Sequence, residues 1–330
     1  MKRVAINGMG RIGRAALKVI LNTPNLDLVA VNDIVSVENT AYLLKYDSVY
    51  GIYEKNVTHD ASNLVVDGKK IKYTSVRNPE DLPWKESNID VVIESTGLFT
   101  ASEDARKHIT AGAKTVIISA PTKSGDIPTV VHGVNSGDGK TTVFSCASCT
   151  TNSISPVVEI LGRRIGIKKA IMTTIHAYTA SQRIVDGPSK KNLRLGRAGA
   201  ANIVPTTTGA AIATTKALPE YAGKFDGVAL RVPIPVGSIS DLTFITQRNV
   251  TVEEVNEIFK EEAESTRYKN ILATTNEPLV SCDIVKSAYA STVDLGMTRV
   301  VDGDLLKVMT WYDNEWGFTN QMIRQILFED

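Results

Sequence analysis

The chain lacks the features that mark several protein classes. It holds only three cysteines in 330 residues, Cys146, Cys149 and Cys282. That is too few for a disulfide framework and fits a reducing compartment. Its 37 basic and 36 acidic side chains leave a net charge of +1, without the basic excess that nucleic acid or an anionic membrane selects. No apolar run approaches the ~20 residues of a membrane-spanning helix. Lys2-Arg3 precede an apolar stretch, but it breaks at Asn7-Gly8, too early for a signal peptide. There is no internal repeat and no low-complexity tract. These absences predict a cytoplasmic globular protein with no nucleic-acid or membrane partner.

The length suggests two domains, at roughly 100–200 residues each. In the first half, short apolar runs at Val4–Asn7, Leu28–Val31, Val91–Ile93, Val116–Ile118 and Val143-Phe144 alternate with helical patterns at Ile12–Leu21 and Ala101–Ala111. Continuous apolar strands separated by helices predict a mostly parallel sheet covered on both faces. In the second half, Ala170–His176, Val228–Val232, Leu242–Gln247 and Ala288–Asp294 read as longer strands. Apolar residues there alternate with Thr or Ser, as in a mainly antiparallel sheet. Val252–Thr266 and Gln321–Phe328 read as amphipathic helices. The fold class expected is α/β: a Rossmann-type domain plus an α+β domain. Composition shifts near Cys149. The expected division is residues 1–148 with 313–330 against 149–312.

Gly8-Met9-Gly10-Arg11-Ile12-Gly13 is a G-x-G-x-x-G that follows a strand and opens a helix, the context this dinucleotide motif requires. Gly8 permits the tight turn, Gly10 lets the backbone approach a pyrophosphate, and Gly13 lets helix and strand pack closely. The helix start offers N–H groups and partial positive charge to the phosphates. Asp33 ends the second strand twenty residues after Gly13. A carboxylate there accepts from ribose hydroxyls and repels a 2′-phosphate, which favours NAD over NADP. The bland alternative is a glycine turn and a surface Asp.

Ser148-Cys149-Thr150-Thr151-Asn152 precedes the helical pattern Ile154–Leu161. Cys149 at a helix start is favoured as thiolate, and the N–H groups there suit the oxyanion of a tetrahedral adduct. Ser148, Thr150 and Thr151 add hydroxyls. Of four histidines, His59 and His108 read as surface residues and His132 as structural. His176 ends a strong strand before the irregular segment Ala177–Pro205 and is the candidate base; on the residues alone it can equally be structural. Cys146 and Cys149 form a C-x-x-C, but no second pair completes a zinc site, so no metal is expected. Lys190, Lys191, Arg194 and Arg197 form a local basic run, read as a solvated surface.

With these motifs in hand, the chain resembles the phosphorylating glyceraldehyde-3-phosphate dehydrogenases. The resemblance rests on Ala147-Ser148-Cys149-Thr150-Thr151-Asn152, Leu44–Ser48, Glu94-Ser95-Thr96-Gly97, Thr173–Thr179, Thr207–Ala211, Arg231-Val232-Pro233 and Trp311–Gly317, and it spans essentially the whole chain. It implies that Cys149 is the nucleophile and His176 its base. It implies a thioester on Cys149 that inorganic phosphate cleaves to an acyl phosphate, 1,3-bisphosphoglycerate. By resemblance Thr179 and Arg231 match the substrate-phosphate positions, and Ser148, Thr208 and Gly209 those of the attacking phosphate; Thr150 is grouped with them. Asn314 matches the residue holding the nicotinamide carboxamide. Asn7, Arg11, Ile12, Asp33, Arg77, Thr96 and Ser119 match other NAD contacts. Ala177–Pro205 resembles the family's interface loop, Pro188 suits NAD, and a homotetramer is implied. Four positions depart from many members: Cys146, Ser153, Leu195 and Phe318. The spacing also raises a Cys146–Cys149 disulfide under oxidation. The alternatives are erythrose-4-phosphate dehydrogenase, which hydrolyses the thioester, and a non-enzymatic thiol sensor or binding protein.

Overall fold

A computed structural model describes residues 1–135, 141–189 and 192–328. Lys190 and Lys191 of the basic run therefore lie outside the described residues. The chain divides into two compact units: Met1–Val130 with Ser136–Ala147 and Met322–Asp330, and Val131–Asn135 with Ser148–Gln321.

The first unit is built on an eight-stranded sheet. Its strands are β1 (Lys2–Asn7), β2 (Leu26–Asn32), β5 (Val57–His59), β6 (Asn63–Val66), β7 (Lys69–Thr74), β8 (Val91–Glu94), β9 (Thr115–Ile118) and β10 (Val143–Ser145). A separate small hairpin pairs β3 (Tyr46–Asp47) with β4 (Gly51–Ile52). The sheet order is β10-β9-β8-β1-β2-β7-β6-β5. The pairs from β10 to β7 are parallel, and β7-β6 and β6-β5 are antiparallel. Helices α1 (Arg11–Ile20), α2 (Val37–Lys45) and α3 (Ser102–Thr110) connect them. Val4, Ala5 and Ile6 are fully buried, the two-sided burial that makes such strands continuously apolar. From β1 the chain runs outward to β2 on one side and later returns to β8 on the other. That reversal opens a crevice at the carboxyl ends of β1 and β8, where doubly wound sheets bind ligands.

The second unit has a sheet ordered β12-β13-β11-β14-β18-β16-β15, with β17 also on β18. Its strands are β11 (Ile167–Ala177), β12 (Val204–Thr207), β13 (Phe225–Val232), β14 (Ser238–Thr246), β15 (Leu272–Thr275), β16 (Ser291–Asp294), β17 (Arg299–Val301) and β18 (Leu305–Tyr312). Only β11-β13 and β15-β16 are parallel; the other pairs are antiparallel. Burial alternates strictly along β14, the period-2 signature of a sheet with two unlike faces. Helices α4 (Cys149–Arg164), α5 (Ala210–Ala217) and α6 (Val252–Glu264) accompany it. Thr251 caps α6 by accepting from the Glu254 N–H, worth about 1 kcal/mol. Helix α7 (Trp316–Phe328) starts where the Asp313 carboxylate accepts from the Glu315 and Trp316 N–H groups.

The expected architecture is present, a mostly parallel sheet unit followed by a mainly antiparallel one. Several elements differ in extent. The helix expected from Ile154 begins at Cys149, and that expected from Gln321 begins at Trp316. The segment 177–205 contains a short 3-10 turn, Leu193–Gly196, and an isolated bridge between Arg183 and Ala198. One expectation is overturned: His108, read as a surface residue, is fully buried. Its polar ring is tolerated there because a specific set of partners satisfies both nitrogens.

Candidate active site

In the first unit the glycine turn meets its physical requirements. Gly8 has φ +96°, and a Cβ there would lie 2.6 Å from the Thr96 nitrogen. A Cβ on Gly13 would stand 1.9 Å from the Gly8 carbonyl oxygen, so α1 and β1 approach closely only because position 13 has no side chain. At Gly10 a Cβ would meet nothing within 4 Å. Gly10 is also the N-cap of α1, and no side chain caps that helix. An uncapped helix start with open space before it is an anion site. A cavity of about 420 Å³ lies here, lined by Gly8, Gly10, Asp33, Arg77, Thr96 and Phe99 among others. These features fit a dinucleotide.

Asp33 accepts from the Met9 N–H at 2.6 Å and the Val35 N–H at 3.0 Å, so it braces the glycine turn as well as facing the cavity. Arg11 reaches Asp47 at 2.6 Å and lies over the Tyr50 ring. Burial alone would raise the Asp47 carboxyl, but the Tyr50 N–H, Arg11 and the Val49 N–H together hold it below the usual range. Ile12 is half-buried in the first turn of α1, Arg77 is exposed, and Ser119 follows β9 with its N–H on the Glu94 carbonyl.

Beneath the cavity runs a buried polar network. The Trp84 indole N–H donates to His108 Nδ1 at 3.0 Å, so the ring proton sits on Nε2 and is donated to Glu94 Oε2, also 3.0 Å away. Glu94 Oε2 accepts from Asn7 Nδ2 at 2.6 Å. Glu94 Oε1 accepts from the Thr96 N–H at 2.8 Å and from its hydroxyl. Asn7 in turn accepts from Asn32, which clasps Val76 through both backbone groups. Four cavity-lining residues, Asn7, Asn32, Val76 and Thr96, are thus tied to one carboxylate. Glu94 belongs to the Glu94-Ser95-Thr96-Gly97 run, in which nothing local marks it as the centre of this network.

In the second unit Ser148 is the N-cap of α4 and accepts from the Thr151 N–H at 3.1 Å. Cys149 is the first helical residue, as expected. The turn before it uses a strained residue: Ala147 has φ +59°, costing about 1–2 kcal/mol for a residue with a Cβ. Cys149 Sγ lies 3.3 Å from His176 Nε2. His176 is 4% exposed, and its Nδ1 lies 2.7 Å from the Ala177 carbonyl. Arg231, its register partner on β13, brings Nη1 within 2.5 Å of the same Nδ1. Burial raises the Cys149 thiol above its ordinary value, opposed by Arg231 and by the Thr150 N–H and hydroxyl. Burial, then the Arg231 charge, lower His176 to about 3.

Tyr312, also without an assigned task at the sequence level, underlies this pair. Its hydroxyl lies 2.8 Å from both Thr150 Oγ1 and Thr174 Oγ1, and its ring meets His176 edge-on at 6.0 Å. It joins the helix carrying the nucleophile to the strand carrying the base. Asn314 Oδ1 accepts from the Ser238 hydroxyl at 3.0 Å and the Gly237 N–H at 3.3 Å, while Ser238 accepts from the Ala177 N–H. The remaining candidates bond locally: Thr179 to Ser181, and Thr208 to the Ala210 N–H beside Gly209, the N-cap of α5. Cys146 is buried and Cys282 exposed. Among the described residues no group of three or more potential metal ligands occurs.

Comparison with known proteins agrees with this chemistry. Residues 2–102 match the family model of the glyceraldehyde 3-phosphate dehydrogenase NAD binding domain, and residues 148–314 that of the C-terminal domain. The chain is 50% identical to glyceraldehyde-3-phosphate dehydrogenase 2 of Streptomyces avermitilis, over 99% of this chain and 98% of the relative. It is 49% identical to glyceraldehyde-3-phosphate dehydrogenase of Geobacillus stearothermophilus, over 97% and 96%. Glyceraldehyde-3-phosphate dehydrogenase 1 of Candida glabrata is 45% identical, over 99% and 98%. A nucleophile–base pair of this geometry, a dinucleotide turn and full-length relatives at these identities lead to one statement: the chain belongs to the glyceraldehyde-3-phosphate dehydrogenase family.

Proposed function

We propose that the protein oxidises glyceraldehyde 3-phosphate to 1,3-bisphosphoglycerate, using NAD and inorganic phosphate, with Cys149 as nucleophile and His176 as base and acid. The observation that carries this is the 3.3 Å approach of Cys149 Sγ to His176 Nε2 at the start of α4. His176 takes the thiol proton as sulfur bonds to the aldehyde carbon and returns it to the resulting oxyanion, giving a thiohemiacetal. The N–H groups at the start of α4 face the developing oxyanion. When bound, NAD supplies the acceptor for the hydride that leaves this carbon. His176 removes the hydroxyl proton as the thioester forms. Phosphate then attacks the thioester carbon, the S–C bond breaks, and Cys149 is regenerated as the acyl phosphate departs.

The first unit serves as the dinucleotide-binding domain and the second as the catalytic domain. Gly8, Gly10, Arg11, Ile12, Gly13, Asp33, Arg77, Thr96, Ser119 and Asn314 hold the cofactor. Arg231 and Thr179 take the substrate phosphate, and Ser148, Thr150, Thr208 and Gly209 the attacking one. Asp33 and Pro188 favour NAD over NADP. The protein works as a cytoplasmic homotetramer. Support for self-association comes from the second unit's sheet, which leaves Ile171 61% exposed beside exposed Ile212 and Leu305 around a shallow depression; apolar patches of this kind are interface material.

The test is NADH formation from glyceraldehyde 3-phosphate with and without inorganic phosphate. We expect an absolute requirement for phosphate or arsenate. Equal rates without either would replace phosphorolysis by hydrolysis, as in the erythrose-4-phosphate enzyme. No rate at all would reject the dehydrogenase. Repeating the assay with NADP reads the Asp33 argument, which comparable efficiency would contradict. Sedimentation equilibrium reads the tetramer.

A further inference from the structure

Asp33 opens a short bend, residues 33–36, between β2 and α2. Ile34, Val35 and Ser36 are exposed, so packing does little to fix the bend and hydrogen bonds carry it. Two of these bonds end on Val35. Its N–H donates to Asp33 Oδ1 at 3.0 Å, and its carbonyl accepts from the Tyr73 hydroxyl at 2.6 Å. The Thr40 hydroxyl lies 2.9 Å from the same Tyr73 oxygen. A phenol has one proton and Val35 takes it, so Thr40 is the donor in that bond. The bonds thus run from Thr40 on α2, through Tyr73 on β7, to the residue that grips the Asp33 carboxylate. Tyr73 and Thr40 are both buried. Burial lifts the Tyr73 phenol above its ordinary value; the Thr40 bond opposes this and the Asp33 charge adds to it. The hydroxyl therefore stays a donor at neutral pH.

The carboxylate itself is held on every side that backbone can reach. Its Oδ2 accepts from the Met9 N–H at 2.6 Å, and the Asp33 N–H donates to the Thr74 carbonyl at 3.1 Å. Asp33, Val35 and Arg77 line the same cavity.

We propose that Tyr73, with Thr40 behind it, is a specificity-determining positioning residue for the dinucleotide. Tyr73 holds Val35, Val35 holds the Asp33 carboxylate toward the cavity, and that fixed negative charge excludes a 2′-phosphate. The proposal deepens the NAD reading of Asp33 and rests on it. Like-charge repulsion discriminates only while the carboxylate cannot turn away. Released from Tyr73, Val35 moves and the carboxylate moves with it. A 2′-phosphate then meets Arg77, exposed on the same cavity, in place of an anion. NAD carries no charge there, and it loses only the fixed acceptor for its ribose hydroxyls. Tyr73 therefore acts on the choice between the two cofactors, and the choice shifts from both sides when its hydroxyl is removed.

The test is calorimetric binding of NAD and of NADP to the full chain. Tyr73→Phe keeps the ring and removes the hydroxyl. The ratio of NADP to NAD affinity should rise about threefold to tenfold, the worth of one ordinary hydrogen bond. Thr40→Val removes only the bond behind the phenol and should move the ratio the same way by less. Asp33→Asn removes the charge and should raise the ratio by itself, and Tyr73→Phe in that background should add nothing. A Tyr73→Phe protein that binds both dinucleotides more weakly by one common factor has lost structure alone, and it overturns the proposal. A shift that persists undiminished in Asp33→Asn overturns it too. An Asp33→Asn ratio equal to that of the parent removes the NAD reading of Asp33, and the proposal falls with it. A raised ratio in Asp33→Asn beside an unchanged one in Tyr73→Phe sinks the proposal alone. Should Tyr73→Phe fail to fold, Thr40→Val decides: a raised ratio supports the proposal and an unchanged one overturns it.

Discussion

Tyr312→Phe isolates one oxygen atom. Tyr312 is 2% exposed, and its hydroxyl is shared between Thr150, 4% exposed, and Thr174, fully buried. Phenylalanine keeps the ring, and with it the edge contact on His176, but leaves two buried threonine hydroxyls short of a partner. Each buried group so deprived costs about 1–3 kcal/mol, which puts the combined loss of the two at about 2–6 kcal/mol. Thr150 also touches the thiol through its N–H and hydroxyl, both of which favour the thiolate. Slackening Thr150 should therefore slow alkylation of Cys149 at pH 7 several-fold. Urea unfolding at fixed protein concentration reads the first effect and iodoacetamide kinetics the second. The triple variant Tyr312→Phe, Thr150→Val, Thr174→Val removes these three hydroxyls while keeping shape. It should recover stability to within about 1 kcal/mol of the parent, because apolar isosteres leave nothing unpaired, yet keep the slow thiol. A Tyr312→Phe protein within about 0.5 kcal/mol of the parent, or a triple variant less stable than the single, would refute the reasoning.

Two further outcomes follow from buried groups. His176 protonates near 3 in the fold and near 6.5 when unfolded. Its contribution is therefore complete above pH 6.5 and is lost as pH falls from there toward 3, because the unfolded chain binds the extra proton. At about 1.4 kcal/mol per pH unit, His176→Asn should lose about 2–3 kcal/mol less than the parent between pH 6.5 and 4.5; parallel acid profiles in urea titrations would contradict this. Glu94→Gln keeps size but turns one acceptor oxygen into a donor facing Asn7 and His108 or Thr96. It should weaken NAD at least about tenfold, the equivalent of one lost hydrogen bond, and should shift Trp84 emission through its bond to His108. Unchanged NAD affinity by calorimetry would remove Glu94 from the support of the cofactor cavity.

What the sequence determined by itself was everything encoded over short stretches of backbone. The glycine turn, its helix and Asp33 were legible because each glycine answers a local demand of the chain, and these demands recur in the structure as a positive φ at Gly8 and a forbidden Cβ at Gly13. The helix start at Cys149 was legible for the same reason, since Ser148 is a local cap. The two sheet types were legible from unbroken apolar runs in β1 and period-2 alternation in β14. The short strands β5 to β7 and helices α2 and α5 were not, because their patterns are too brief to show a period.

The tertiary structure decided who meets whom. His176 lies 27 residues from Cys149, Arg231 another 55 beyond His176, and Tyr312 162 from Thr150. Those meetings are set by strand register, β11 against β13 and β14 against β18, and pairing register carries no local signal in either strand. His108 shows the same limit from the other side. On its helix it looks like one more polar residue, and only the approach of Trp84 and Glu94, 24 and 14 residues away in the chain, makes its burial affordable. Local chemistry names the nucleophile; long-range packing supplies the base, the arginine on its far nitrogen and the hydroxyl beneath it.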